Sequence, residues 1–390
     1  MVGAILRHDE AMVAAPDLRR APAHPRRAHL PTRRVLRYYL PVQLDLHRHL
    51  EGSHSATALL AVAREFSILD PVFYDAAAQR FRTPAELTQQ ITMRGPTADP
   101  AVFYDCIVKA RAAYVSVPAI AALAAHAFRE AAADCDGFEM RLSLFSMTRT
   151  LIDQQHLRWR EVPPVTFAEQ YARPVLLAVL AARDQVRAET GVPMLLRLGL
   201  SRTFESEPHY RALAAMVREH AAALVGLDLL GIVAGPDREP LPPALLDILE
   251  EMRRELPDLT VHAGELAGAE SVSRTLELAP RGIGHGVRSL EDPRVLERLA
   301  RDGVTLEVCP TSNRLLIPAE LAALEHAHAA TPLRALQRHH VHCVLGSDDP
   351  TPMGTSFRAE HALAAELGVD LAQLERDTQR RWTQITGQPR

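Results

Sequence analysis

Residues 42–52 read Val-Gln-Leu-Asp-Leu-His-Arg-His-Leu-Glu-Gly, an apolar run over Val42–Leu46 that passes into His47, Arg48 and His49 and halts at Gly52. The pattern reads as a short strand ending in polar side chains. Two histidines two apart on a strand share a face, so both imidazoles can grip one ion. Arg48 then points to the opposite side and reads as a structural ion pair. Alone the pair is weak evidence, because the 18 histidines include two others with this spacing, His326/His328 and His340/His342.

Working outward, seven more short apolar runs read as strands: Phe138–Leu144, Met194–Leu200, Val225–Leu229, Leu259–Val261, Gly282–Gly284, Thr305–Val308 and Val341–Leu345. Helical patterns separate them, among them Ser55–Phe66, Ala119–Ala133, Phe167–Glu189, Tyr210–Leu224, Pro243–Leu256, Val295–Arg301 and Thr331–Arg338. Eight strands, each followed by helical sequence, predict an α/β fold of the (β/α)8 TIM-barrel class. Ser55–Cys135 is too long for one crossover and predicts extra helices between strands 1 and 2, forming a wall or lid over the first strand's mouth. Residues 1–40 differ, with Arg19, Arg20, Arg26, Arg27, Arg33, Arg34 and Arg37 set among prolines without apolar periodicity. They read as a disordered Arg/Pro-rich extension, and residues 41–390 as the barrel domain.

Polar signatures recur where the strands end. The fifth closes in Val261-His262-Ala263-Gly264-Glu265, a metal-ligand type followed three residues later by a carboxylate. The sixth closes in Gly284-His285-Gly286, the seventh runs into Cys309-Pro310-Thr311-Ser312-Asn313, and the eighth into Gly346-Ser347-Asp348-Asp349-Pro350. Each has a plain structural alternative: His285 as an interior histidine, Asp348 and Asp349 as a helix cap before a proline. Five in this order at barrel-strand ends point to a site.

The set DLHRHLEGS, VHAGE, GIGHG, EVCPTSN and GSDDP resembles the adenosine deaminase family of the amidohydrolase superfamily, loosely over residues 41 to about 370. The resemblance implies one zinc ion held by His47, His49, His262 and Asp348, with a water completing its shell. It further implies that His285 and Asp348 orient and deprotonate that water, and that Glu265 protonates the purine ring nitrogen beside the attacked carbon. Asp349 would hold N7, the Gly231 N–H would meet the N3 edge, and Glu51 would contact the sugar's 5′-hydroxyl. The product is the 6-oxo purine plus ammonia. The residues themselves supply ligands, a base and an acid, which water-based hydrolysis needs. Lys109, the one lysine among 44 basic residues, lies in a helical stretch, a poor place to bridge two metals as a carboxylated lysine does in binuclear relatives.

Three positions depart from the family pattern. Ile232 and Val233 stand where an acidic pair usually follows Gly231, and Glu51 replaces a shorter aspartate. A carboxylate at Glu51 opposes a 5′-phosphate and favours nucleosides. Adenosine or 2′-deoxyadenosine is the leading substrate, and the changed loop and Glu51 keep adenine base, a modified adenosine or a futalosine-type adenosyl metabolite open as alternatives. Readings from other classes are a metal-dependent amide or ester hydrolase and a purine-binding protein without catalysis; the intact catalytic set speaks against both. Arg141 and Arg202, near strand ends, read as buried salt bridges, Ser312 and Asn313 as braces for the metal site, and Cys309 as packing. These ligands accept several divalent ions besides zinc.

Composition narrows the partners. A net charge of -4 argues against nucleic acid or a membrane surface. Cys106, Cys135, Cys309 and Cys343 show neither metal-finger nor disulfide spacing, which suits a reducing compartment. No apolar stretch reaches the length of a bilayer span and no secretory core is visible, so a cytoplasmic enzyme of small molecules is expected. Oligomeric state stays open.

Overall fold

In the computed structural model, residues 42–388 other than Ala98 and Phe204 are described. The expectation for residues 1–40 lies outside them. Eight strands form one parallel sheet in sequential order: β1 Leu44–His49, β2 Gly137–Leu142, β3 Met194–Ser201, β4 Gly226–Leu230, β5 Leu259–Ala263, β6 Gly282–His285, β7 Thr305–Val308 and β8 His342–Leu345. Each predicted run falls on one of them. The strands are buried almost throughout, as expected where helices cover the outside and side chains fill the inside.

β8 meets β1 through a single parallel bridge, Arg48 with Asp348. There the Asp348 N–H donates to the His47 carbonyl at 2.8 Å, and the His49 N–H donates to the Asp348 carbonyl at 2.8 Å. The seam of the barrel is thus closed by the backbone of the first and last motifs. A register shift in β1 between Asp45 and Arg48 bends the strand at this point. The Asp45 carboxylate anchors the bend, accepting from the Ser347 hydroxyl at 2.5 Å and the His47 N–H at 3.3 Å.

The inserted segment between β1 and β2 carries four helices, α1 Ala56–Glu65, α2 Pro84–Ile91, α3 Pro100–Arg111 and α4 Val117–Asp134, plus a two-stranded ribbon, Tyr74–Asp75 with Arg80–Phe81. Local sequence explains the helix starts. Ser55 and Ser116 cap α1 and α4, and Thr83 with Glu86 forms a capping box on α2. Lys109 sits on α3, not on a barrel strand, and pairs with Asp105 at 2.5 Å.

The barrel interior is polar rather than aliphatic. Glu139 and Arg141, two apart on β2, both point inward and are fully buried. Lower in the barrel Arg197 joins Glu139 at 2.7 Å and Asp258 at 2.8 Å, and Arg381 joins Asp258 at 2.8 Å. Above them Arg141 donates to Asp228 at 2.6 Å and contacts Glu307. A column of paired charges therefore runs along the barrel axis to the strand ends, each desolvated ion held by its neighbours.

Candidate active site

At the C-terminal ends of the strands a cavity of about 420 Å³ opens. His49, Glu51, Gly231, His262, Glu265, His285, Asp348 and Asp349 all line it, and His47 lies against His49 just beneath. The nine residues expected to hold the metal, the reacting protons and the substrate are therefore brought together. Phe103, Tyr104, Ile107 and Arg111 of α3 form one wall, the role expected for the inserted helices.

His47, His49 and His262 aim their Nε2 atoms at one point: His49 lies 3.3 Å from His47 and 3.2 Å from His262 by these nitrogens. His47 Nδ1 is 3.0 Å from Glu307 Oε2, and His262 Nδ1 is 3.0 Å from Asp228 Oδ1. Those carboxylates take the Nδ1 protons and leave Nε2 lone pairs facing one another, an arrangement that is repulsive until a cation sits between them. Asp348 Oδ1 completes the group, 3.4 Å from His49 Nε2 and 3.7 Å from His47 Nε2. All four donor atoms lie within 4.8 Å of one another. Tetrahedral zinc with nitrogens at about 2.0–2.1 Å needs N···N separations of about 3.3 Å, so the residues fit a divalent ion of that kind. Burial holds His47 well below the usual imidazole range and His49 down to about 3, so both are neutral and free to ligate.

Arg141 ties the arrangement together, since the two carboxylates it grips, Asp228 and Glu307, are those that orient His262 and His47. Its salt bridges are as expected. Arg202 differs: no carboxylate among the described residues pairs with it, and it donates to the carbonyls of Pro240 at 3.0 Å, Leu229 and Gly231 at 3.3 Å each, and to that of His262. The predicted salt bridge is replaced by a clamp on main-chain oxygens exposed where β4 and β5 end. Arg48 faces away from the ligands, 3.6 Å from Asp45 and 3.5 Å from Asp134.

His285 stands opposite the ligands, its Nε2 3.6 Å from Glu265 Oε1 and 3.9 Å from Asp348 Oδ2. Asn313 Nδ2 lies 3.4 Å from its Nδ1. Both His285 and Asp348 adopt left-handed backbone, φ 60° and 58°, a conformation that costs free energy outside glycine and concentrates at functional sites. Glycines make the approach possible. A Cβ on Gly284 would meet His47 Cε1 at 2.9 Å, and one on Gly52 would meet Asp349 Oδ1 at 1.8 Å.

The acids divide into charged and neutral. Burial, reinforced by the Asp348 charge, pushes Glu265 up to about 8, so it carries its proton at neutral pH. Burial opposes ionisation of Asp348 too, but His285 and His49 outweigh it and its carboxyl titrates below the usual range. Asp349 is driven well above that range by burial and by Asp348 beside it. Glu51, also raised by burial, accepts the Ser143 N–H at 2.9 Å. Burial likewise keeps the Cys309 thiol protonated, which suits packing.

Sequence reasoning missed three contributors. Asp228 and Glu307 each interrupt an apolar strand with a lone acid, a signal that was available. Glu239 was less visible. It is 2% exposed and accepts the N–H groups of Gly264 at 2.8 Å, Glu265 at 3.0 Å, Leu266 at 2.8 Å and Ala267 at 3.2 Å, along with the Ser271 hydroxyl. The acidic pair absent at Ile232 and Val233 is thus answered by an acid farther along the same loop. Ile232 lines the cavity, and its N–H donates to the Tyr104 hydroxyl at 3.2 Å.

Comparisons with known proteins agree with this geometry. The family model for adenosine deaminase matches residues 42–381. The adenosine deaminase of Erwinia tasmaniensis is 29% identical over 336 residues, covering 85% of this chain and 89% of the relative. The adenine deaminase of Agrobacterium fabrum is 43% identical over 122 residues, 31% of this chain and 36% of that protein. Among solved structures, the adenine deaminase of Arthrobacter aurescens superposes with a TM-score of 0.66 at 20% identity, covering 87% of this chain and 93% of the other, which shows a shared fold.

Proposed function

Because this chain belongs to the adenosine deaminase family, a family of metal-dependent aminohydrolases acting on adenine-type compounds, we propose that it hydrolyses the 6-amino group of an adenine nucleoside, with zinc as its metal. Adenosine and 2′-deoxyadenosine are the reference substrates. The carrying observation is the convergence of three Nε2 atoms and Asp348 opposite His285 and a protonated Glu265.

Zinc bound by His47, His49, His262 and Asp348 would supply Lewis acidity that brings a water's pKa toward neutrality. His285, neutral because burial lowers its pKa, accepts a proton from the attacking water, with Asp348 orienting it. Glu265 gives its proton to N1 as the new bond forms at C6. Asp349 shares a proton with N7, and the Gly231 N–H meets N3. His285 then passes its proton to the amino group, the C6–N bond breaks as ammonia leaves, and the C6 hydroxyl returns a proton to Glu265, leaving the 6-oxo purine. Glu51 takes the sugar side of the pocket.

A second reading, deamination of adenine itself, is favoured by the likeness to adenine deaminases and by the apolar Ile232 in the cavity wall. Ammonia release and the purine's ultraviolet change, followed with adenosine, 2′-deoxyadenosine and adenine, test both. Turnover of a nucleoside supports the leading reading, turnover of adenine alone replaces it, and silence on all three from fully metal-loaded protein refutes both substrate readings.

A further inference from the structure

Arg111, the last residue of α3, extends into the catalytic cavity beside Ser146 and Arg149. Its single side-chain hydrogen bond among the described residues goes from Nη1 to the Ser146 hydroxyl. Its Nε is buried without a partner. No carboxylate among the described residues forms an ion pair with it. Arg149 pairs with Glu205 at 2.5 Å, but Glu205 is shared with Arg160 at 2.9 Å. Glu205 is thus engaged by two other guanidiniums and leaves Arg111 without a carboxylate of its own. Ser143, Ser146, Ser201 and Thr203 supply further donors along the same wall.

A half-buried guanidinium with unused donors is costly in a protein unless something acceptor-rich meets it. Other buried arginines keep acceptors close by: Arg141, Arg197 and Arg381 are each gripped by carboxylates, Arg202 by four carbonyls, and Arg48, although two of its buried nitrogens make no hydrogen bond, lies 3.6 Å from Asp45 and 3.5 Å from Asp134. Arg111 has no such carboxylate or set of carbonyls, and it lines the cavity where a substrate would lie.

We propose that Arg111, with Arg149 and the neighbouring hydroxyls, forms an anion subsite that takes a phosphate or carboxylate group carried by the adenine nucleoside. The inference rests on the deaminase reading for where the purine sits, and it narrows the substrate to a nucleoside with an acidic substituent. It also revises the expectation drawn from Glu51 alone, because Arg111 lies within electrostatic reach of that carboxylate and offsets its charge.

The test compares adenosine, AMP and adenosine 5′-carboxylate as substrates and as equilibrium ligands of the full-length, metal-loaded protein, in the wild type, Arg111→Gln and Arg149→Gln. Charge-assisted hydrogen bonds to a planar guanidinium should favour an anionic compound over adenosine by roughly ten- to a hundredfold in kcat/KM and in affinity. In Arg111→Gln the ratio of anionic to neutral substrate should fall toward one, chiefly through KM. Preference for AMP identifies a phosphate site, and preference for the carboxylate a carboxylate site. A wild-type ratio at or below one in both measurements overturns the proposal without reference to any variant, as does a ratio that Arg111→Gln leaves unchanged. Turnover of adenosine with no anionic preference keeps the deaminase reading and ends the subsite. Selective binding of anions without turnover of any compound does the reverse.

Discussion

The carboxylate of Glu239 lies 3.0 Å from the backbone nitrogen of Glu265 and holds the three flanking N–H groups as well. The loop that carries the proposed proton donor is therefore fastened by one buried acid arriving from the β4 side of the barrel. Replacing Glu239 by Ala would leave four N–H groups without their acceptor. A loss of about 2–5 kcal/mol in unfolding free energy is expected from the cost of unsatisfied buried donors and a missing charged acceptor. Per folded, metal-loaded molecule, kcat should also fall at least about tenfold with KM little changed, because Glu265 loses its aim. Denaturant unfolding and steady-state kinetics on the same sample check this. Unchanged kcat in the folded fraction would reduce Glu239 to a purely structural role.

Glu265→Gln keeps the size of the side chain and removes the transferable proton. Metal content should stay at the wild-type level while kcat falls by about two to four powers of ten, the usual worth of a positioned general acid. Metal analysis beside turnover decides it, and near-wild-type activity would assign the proton to another group.

The same proton sets a pH limit. Glu265 titrates near 8, above the ordinary carboxylate value, so the active, protonated form dominates below that pH and is lost as pH rises through it. The kcat/KM profile of the wild type with a neutral nucleoside should descend on its alkaline side in this region. A profile flat to pH 10 would contradict the role given to that proton.

Asp228→Asn removes the charge that fixes the His262 tautomer. Loss of such a partner behind a metal-bound imidazole typically costs about 10–100-fold in metal affinity. Competition with a chelator measures it, and an unaltered affinity would mean that His262 is oriented by other contacts.

Arg141→Met strands Asp228 and Glu307 together in the barrel interior without their shared cation. Breaking a buried ion cluster from one side typically costs about 3–5 kcal/mol, and denaturant unfolding should show a loss of that order. A variant as stable as the wild type would show that the two carboxylates take up protons instead.

Much of the fold and site was legible because the chemistry is local to strand ends. His47 and His49 announce themselves by a two-residue spacing that the strand converts into a shared face, and Asp348 and Asp349 by their place after an apolar run. What escaped depends on contacts between distant segments. Glu239 bonds to a loop 25 to 28 residues away, and nothing in Asp237-Arg238-Glu239 distinguishes a buried clamp from a solvated turn. Arg202 was misread because an arginine near a strand end suggests a carboxylate, while the ends of β4 and β5 left carbonyl oxygens that only the folded barrel gathers. The register shift in β1 carries no sequence mark of its own; Asp45 supplies the side chain that holds it.

We place one catalytic metal on His47, His49, His262 and Asp348. Titrating zinc into chelator-stripped protein while following ammonia release from an adenine nucleoside tests it directly. Activity should rise in proportion to added zinc and level off at one equivalent per chain. Full activity in the stripped protein, or a plateau reached only at two equivalents, would contradict the account.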